Sequence, residues 1–326
     1  MKKWTVLVAL TLLVACTSTA QPPAPTRTPA PVTSPRIASG TATSRIASGT
    51  ATRSPSPAPR FDSAAALRTV RTLAADIGPR EATTPAYRRA ASYVAGQLRD
   101  LGYDVRRQEF RVPSGVSWGI RVPAGRTHNV LALPQTFDPA RPHLIVGAHL
   151  DTVPQAPGAE DNASGVAVLV ELARLAAAQP PTTPVVFVAF AAEEPRGPAD
   201  DEHHFGSGHY VSRMSPTQRR ALTGMVSLDR VGVGRTVRVC TGGRSPTTLA
   251  RHLRATAARI KVPTTACENR TSDHWPFEKA GETAARVGGH PYAAYHSARD
   301  RPGVVQPAQL DRTGRVMWEF LRTTRS

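Results

Sequence analysis

Acidic residues are missing from the start of this chain: nothing before Asp62 is Asp or Glu, although residues 1–60 hold seven Lys/Arg. Lysine is almost absent as well. Lys2, Lys3, Lys261 and Lys279 are the only four, so the formal charge of +17 rests nearly all on arginine. Residues 61–326 keep 34 basic against 24 acidic residues, net +10. Such a surplus can point to nucleic acid or anionic lipid. Aromatics are sparse, however, and no basic run is interleaved with them, so the pattern reads as an arginine-for-lysine habit of an envelope protein, with no nucleic-acid partner. Cysteine is scarce too, with three in 326 residues. Cys16 belongs to the leader described next. Cys240 and Cys267 remain as an even pair, for which an oxidising compartment permits a disulfide while the sequence leaves the geometry open.

What is present begins with an export signal. Met1-Lys-Lys3 is a basic n-region, and Trp4 to Ala15 is apolar but too short to span a bilayer comfortably. It ends in Leu13-Val-Ala-Cys16, which resembles the lipobox of bacterial lipoproteins, so residues 1–16 are expected to be a signal peptide with Cys16 as the lipidated membrane anchor. Residues 17–60 are Pro, Ala, Ser and Thr with isolated Arg, including a tandem repeat that opens at Arg36 and again at Arg45 with Ile-Ala-Ser-Gly-Thr-Ala-Thr. So polar a unit cannot bury a core, which predicts a disordered tether.

The globular part is expected over 61–326. Leu67, Val70, Leu73 and Ile77 fall at helical spacing up to Gly78-Pro79, and Tyr87, Ala91, Val94, Leu98 and Leu101 form a second stripe closed by Gly102. Tyr103–Phe110 and Asn129–Leu133 read as strands. Val166–Ala178 is apolar nearly all round, as a helix packed inside an α/β layer should be. Strand and helix then alternate to a last helix, Pro307–Arg322. This predicts an α/β fold of one domain, a doubly covered, mostly parallel mixed sheet with helices on both faces.

One device recurs. Leu144-Ile-Val146 leads to His149 and Asp151, followed by Glu160-Asp161; Val185–Phe190 runs into Glu193-Glu194; Met225–Leu228 into Asp229; and Tyr292–Tyr295 is read as a strand running into His296. Ligands in open α/β sheets lie beyond the carboxyl ends of the strands, so these side chains should converge. His149 and His296 offer imidazoles, and Asp161, Glu194 and Asp229 offer carboxylates whose three charges, with one hydroxide, would balance two divalent ions. Mixed imidazole and carboxylate ligation favours two Zn²⁺, with Co²⁺ or Mn²⁺ as substitutes. A pair roughly 3.5–4 Å apart would polarise an amide carbonyl and acidify a water to a pKa of about 7, and a carboxylate beside it would move protons.

These residues, with Asp161-Asn-Ala-Ser-Gly165, Leu228-Asp-Arg-Val-Gly232, Ser272-Asp-His-Trp-Pro-Phe277 and Tyr295-His-Ser-Ala-Arg-Asp300, resemble the co-catalytic zinc aminopeptidases of metallopeptidase family 28. The resemblance implies that His149 and Asp229 bind one zinc, Glu194 and His296 the other, and that Asp161 bridges them. It makes Glu193 the general base, Tyr295 the donor to the oxyanion, and Asp151 and Asp300 the residues that orient the imidazoles. The implied substrate is a peptide or aminoacyl compound with a free N-terminus; the chain is expected to be a monomer, although the sequence does not establish oligomeric state.

Two stretches depart from the pattern. Pro195–Phe205 is inserted before Gly206-Ser207 and is read as a solvated loop in preference to a lid, and Thr271 stands where some members place Arg, with Arg270 one position earlier. Three alternatives stay open: a zinc carboxypeptidase or deacylase, disfavoured by the ten-residue gap from Asp151 to Asp161 and the 67 residues from Asp229 to His296; a one-zinc glutaminyl cyclase; and an inactive tethered binding module.

Overall fold

The computed structural model describes residues 59–244 and 246–325. The predicted leader, the lipobox Cys16 and nearly all of the tether lie outside them.

An eight-stranded sheet organises the domain. Its strands are β1 (Asp104–Val112), β4 (Gly125–Leu133), β5 (His143–His149), β6 (Val185–Phe190), β7 (Leu222–Asp229), β8 (Val237–Thr241), β9 (Thr264–Glu268) and β10 (Ala284–Gly288). They lie in the order β1-β4-β6-β5-β7-β10-β8-β9. The centre, β6-β5-β7-β10, is parallel. β1 and β4 add an antiparallel edge, and β8 turns antiparallel to β10 before β9 runs parallel to it. The predicted doubly covered mixed sheet is therefore the fold found.

Burial of both faces explains why the central strands are continuous apolar runs. Side chains alternate along β5: Leu144, Val146 and Ala148 join a core with helices α1 (Ser63–Arg71), α2 (Pro85–Asp100), α3 (Ser164–Ala178), α6 (Thr248–Arg259) and α8 (Pro307–Thr323). Ile145 points the other way, with Val186, Val188 and Phe190, to meet Tyr210 of α4 (Phe205–Arg213) and Phe277 of α7 (His274–Lys279). A short α5 (Pro216–Ala221), capped by Ser215, feeds β7. Among the described residues no helix is long and apolar enough to cross a membrane.

Local chemistry sets the boundaries. Asp62 caps α1 by accepting from the amides of Ala64 and Ala65, and Thr84 with Pro85 opens α2. The expected first helix is helical to Arg71 and then widens into a single π turn, Thr72–Ile77, before Gly78 at φ 78° ends it. Cys240 and Cys267 are disulfide-bonded. They face one another across β8 and β9, so the bond joins adjacent strands in register.

One feature differs from expectation and one was not foreseen. Tyr292–His296 is a run of turns and not a strand; β10 has already ended at Gly288, and Gly288 and Gly289 carry positive φ. β2 (Gly115–Ser117) and β3 (Ile120–Val122) form a separate hairpin whose two-residue turn is Trp118-Gly119. The string Gly115-Val-Ser-Trp-Gly119 spells G-x-S-x-G, but a hairpin is not the strand-to-helix turn that makes a nucleophile elbow.

Candidate metal centre

Strand register brings the predicted residues to one edge. β5 ends at His149 opposite Phe190 of β6, and β7 ends at Asp229 opposite Gly288 of β10. Beyond those ends the chain adds Asp161 from the turn before α3, Glu193 and Glu194 from the loop after β6, and His296 from the turn after β10. All are buried.

Asp161 lies at the middle. Its Oδ1 is 3.1 Å from His149 Nε2 and its Oδ2 is 3.1 Å from His296 Nε2. His149 Nε2 is also 3.9 Å from Asp229 Oδ1 and 3.9 Å from Glu193 Oε2. Glu194 Oε2 is 3.4 Å from His296 Nε2. One donor atom from each of His149, Glu193 and Asp229 lies within 4.8 Å of the others, as does one from each of His149, Asp161 and Glu194. Glu194 Oε1 and Asp229 Oδ1 are buried without a hydrogen-bond partner. Buried acceptors are normally satisfied, so two carboxylate oxygens left bare beside two imidazoles fit a pair of cations. The donor set matches zinc, with neutral nitrogen and anionic oxygen.

The charge pattern agrees. Burial alone would lower the pKa of His149, yet Glu193, Asp161 and Asp229 raise it well above the histidine range. His296 is likewise opposed by burial but pushed up to about 9 by Glu194 and Asp161. Burial raises Glu193 well above a normal carboxyl group, and neighbouring Asp229, Glu194 and Asp273 add to it against the pull of His149.

Supporting contacts fix the candidate ligands. His149 Nδ1 faces the backbone carbonyl of Asp151 at 3.2 Å. The Asp151 carboxylate instead accepts from the amides of Glu193 (3.1 Å) and Glu194 (3.2 Å), and so sets the Glu pair. Asp300 accepts from the amides of Glu160 (2.9 Å) and Asp161 (3.1 Å) and from the Tyr292 hydroxyl (2.9 Å); it orients the bridging loop, and no ring nitrogen of His296 contacts it. Glu160, fully buried, accepts from the amides of Gly232 and Val233 and ties that loop to the chain after Asp229. Gly165 lets α3 start against β7, because a Cβ there would collide with the Leu228 carbonyl.

Four contributors lay outside the motif reading. Arg286, fully buried in β10, places Nη2 3.1 Å from Asp229 Oδ2. Burial would raise Asp229, but Arg286 and His149 hold it below the carboxylate range. Arg196 and His204 belong to the inserted stretch expected to be solvated, yet both are buried. Arg196 pairs with Glu81 and donates to the carbonyls of Pro113 (2.7 Å) and Pro123 (2.8 Å), clamping both ends of the hairpin. His204 Nε2 is 3.5 Å from Glu193 Oε1. The hairpin tip then holds Trp118 edge-on to His296 at 4.3 Å, while Tyr295 stacks on His296 at 3.7 Å. Ser272 hydrogen-bonds Ser227 at 2.9 Å, and buried Asp273 is pushed up to about 7 by desolvation; both stand behind the cleft wall.

Residues 129–321 match the sequence model of peptidase family M28. The chain belongs to peptidase family M28. Within that family span lie all the candidate ligands, His149, Asp161, Glu194, Asp229 and His296. Aminopeptidase YwaD of Bacillus subtilis (strain 168) is 28% identical over 200 residues, covering 58% of this chain and 42% of the relative. The chain spans less than half the length of the first curated relatives it matches. Among solved folds, a zinc aminopeptidase from Bacillus subtilis, BSAP, superposes with a TM-score of 0.71 at 19% identity, over 81% of this chain and 95% of that one. A glutaminyl cyclase from Bacteroides thetaiotaomicron superposes with a TM-score of 0.69 at 21% identity, over 82% of this chain and all of that one. The M28 fold thus serves more than one chemistry, and the site must decide between them.

Proposed function

We propose that this chain is an exported zinc aminopeptidase that removes residues from the N-termini of peptides with the help of two metal ions. The observation that carries the reading is Asp161, whose two oxygens each face a different histidine at 3.1 Å. His149 and Asp229 would hold one ion, Glu194 and His296 the other, with Asp161 shared. Bound there, the ions would supply Lewis acidity toward the scissile carbonyl and an acidified water.

The chain's own residues do the rest. Glu193 lines a cleft of about 310 Å³ together with Trp118, Tyr295 and His296. Its carboxylate takes the proton of the attacking water and returns it to the leaving amine. The Tyr295 hydroxyl makes no hydrogen bond among the described residues and is free to donate to the oxyanion. The carboxylates of the cleft provide the counter-charge for a free α-ammonium. A complete ligand set for both ions argues against the one-zinc cyclase and against an inactive module.

The test is a set of aminoacyl anilides with N-acetylated controls on the zinc-loaded chain. Unblocked substrates should be cleaved and blocked ones spared by at least about tenfold, the value of one 1.4 kcal/mol contact. Equal release of the anilide from blocked substrates would show that no free N-terminus is required and overturn the aminopeptidase reading.

Export and anchoring form the second part of the proposal. The lipobox-like Leu13-Val-Ala-Cys16 would anchor the domain, residues 61–326, through a tether from a lipidated Cys16. A disulfide between Cys240 and Cys267 supports an oxidising compartment. Cys16→Ser should move the protein from the membrane fraction to the soluble one; retention there would point to an uncleaved leader helix.

A further inference from the structure

Among the described residues, Arg230 is the one lysine or arginine lining the cleft that holds Asp161, Glu193, Glu194 and Asp229. It follows Asp229 directly and has a left-handed φ of 56°, which a residue with a long side chain seldom adopts. The guanidinium lies 4.4 Å from the ring centroid of Tyr295. Stacking of that kind fixes the plane of the fork and leaves its edge free to donate.

Its obvious duty is as a partner of Asp229, and that post is already filled. Arg286 takes Asp229 Oδ2 at 3.1 Å, while Arg230 Nε stands off Oδ1 at 3.5 Å, too far for a good hydrogen bond. The terminal nitrogens of Arg230 make no hydrogen bond to any described residue; only its backbone is engaged, the amide donating to Asn162 Oδ1 at 3.1 Å and the carbonyl accepting from Gly289 at 2.9 Å. Charge points the same way. Asp161, Glu194 and Asp229, with one hydroxide, would be offset by two divalent ions. Arg230 would then stand beside the cleft with no hydrogen-bonded counter-charge of its own, whereas Arg286 keeps Asp229 Oδ2 at 3.1 Å. Arg286 is sealed in the core, so Arg230 alone can be met from the cleft.

We infer that Arg230 recognises a carboxylate on the substrate, which makes the enzyme selective for peptides that present one next to the scissile bond. This deepens the aminopeptidase reading and rests on it. A planar fork on a ring is suited to bidentate binding of a carboxylate. That group has two sources: the side chain of an acidic N-terminal residue, or the C-terminus of a short peptide.

The zinc-loaded full chain is assayed on Glu-anilide against Gln-anilide, on Leu-Gly against Leu-Gly-amide, and on Leu-anilide. In at least one pair, kcat/KM should favour the carboxylate by roughly 10–100-fold, the usual value of a hydrogen bond to a charged group. The favoured pair names the source. Arg230→Gln should collapse that ratio and Arg230→Lys keep part of it, with zinc content measured on each. If Arg230→Gln does not fold, the wild-type ratios, their decline with salt and Arg230→Lys decide. Equal rates within both pairs for wild type, or a ratio unmoved in Arg230→Gln, overturn the inference while leaving the aminopeptidase intact. Failure to cleave Leu-anilide and every other unblocked substrate overturns both.

Discussion

Glu193→Ala should keep about two zinc ions and lose roughly 10²–10⁴ in kcat, the worth of a positioned general base. Glu193 and Glu194 are adjacent, and both have their amides fixed by the carboxylate of Asp151. Their side chains part company from there. Glu194 reaches His296 at 3.4 Å and leaves Oε1 bare, as a ligand would. Glu193 turns toward His204 and stands 3.9 Å from His149. Glu194→Ala is therefore expected to lower metal content together with rate. KM should move much less than kcat in Glu193→Ala, because the lost interaction belongs to the transition state. Metal analysis beside kinetics on unblocked aminoacyl anilides checks the pair. Loss of a zinc in Glu193→Ala with both retained in Glu194→Ala would exchange the two roles.

Arg286→Met should destabilise the metal-free protein by about 3–5 kcal/mol, the cost of stripping one partner from a buried ion pair. For a domain of this size that is a Tm loss on the order of 10 °C. Asp229 would keep its burial and lose the cation at 3.1 Å, and Asn269 would lose a donor at 2.8 Å. With zinc bound the loss should be smaller, since the ions take over the charge of Asp229. The pH dependence has a definite sign. Asp229 titrates below the unfolded carboxylate value, so its pairing stabilises above that value and fades as pH falls through the folded one. The difference between wild type and variant should accordingly be full at neutral pH and shrink in acid. Thermal unfolding with chelator, with zinc and at acid pH measures all three. An unchanged Tm in chelator would mean that Arg286 carries none of the charge of Asp229.

Much of the domain was written in local pattern. Leu144–Val146 and Val185–Phe190 are apolar without alternation because both faces of the parallel centre are covered, and that same feature announces a sheet with helices on each side. His149, Asp161, Glu193, Glu194 and Asp229 follow such runs or open the next helix, so their convergence could be argued before any coordinates. His296 was found by its motif neighbours, although its segment was misjudged. Tyr292–Tyr295 is apolar enough for a strand, but Gly288 and Gly289 had already let the chain leave the sheet, and a turn delivers the histidine instead.

Other features carried no local signal strong enough to read. Arg286 is one cation inside Ala284-Ala-Arg-Val287, and only the parallel register of β10 against β7 brings it to Asp229. Trp118 comes from strands of three residues, too short to show a period, and reaches His296 because Arg196 clamps the hairpin from a distant loop. In the same way, the Asp/His-rich composition of Pro195–Phe205 suggested water, whereas Glu81 and the Pro113 and Pro123 carbonyls bury its arginine. Composition and periodicity by themselves determined the layered α/β domain, and short motifs at the strand ends carried the site chemistry and the family resemblance, since those depend on neighbours in sequence. Tertiary structure alone decided which charge answers Asp229, which ring covers His296 and which cysteines join, because each pairing needs contacts between segments that no local pattern links.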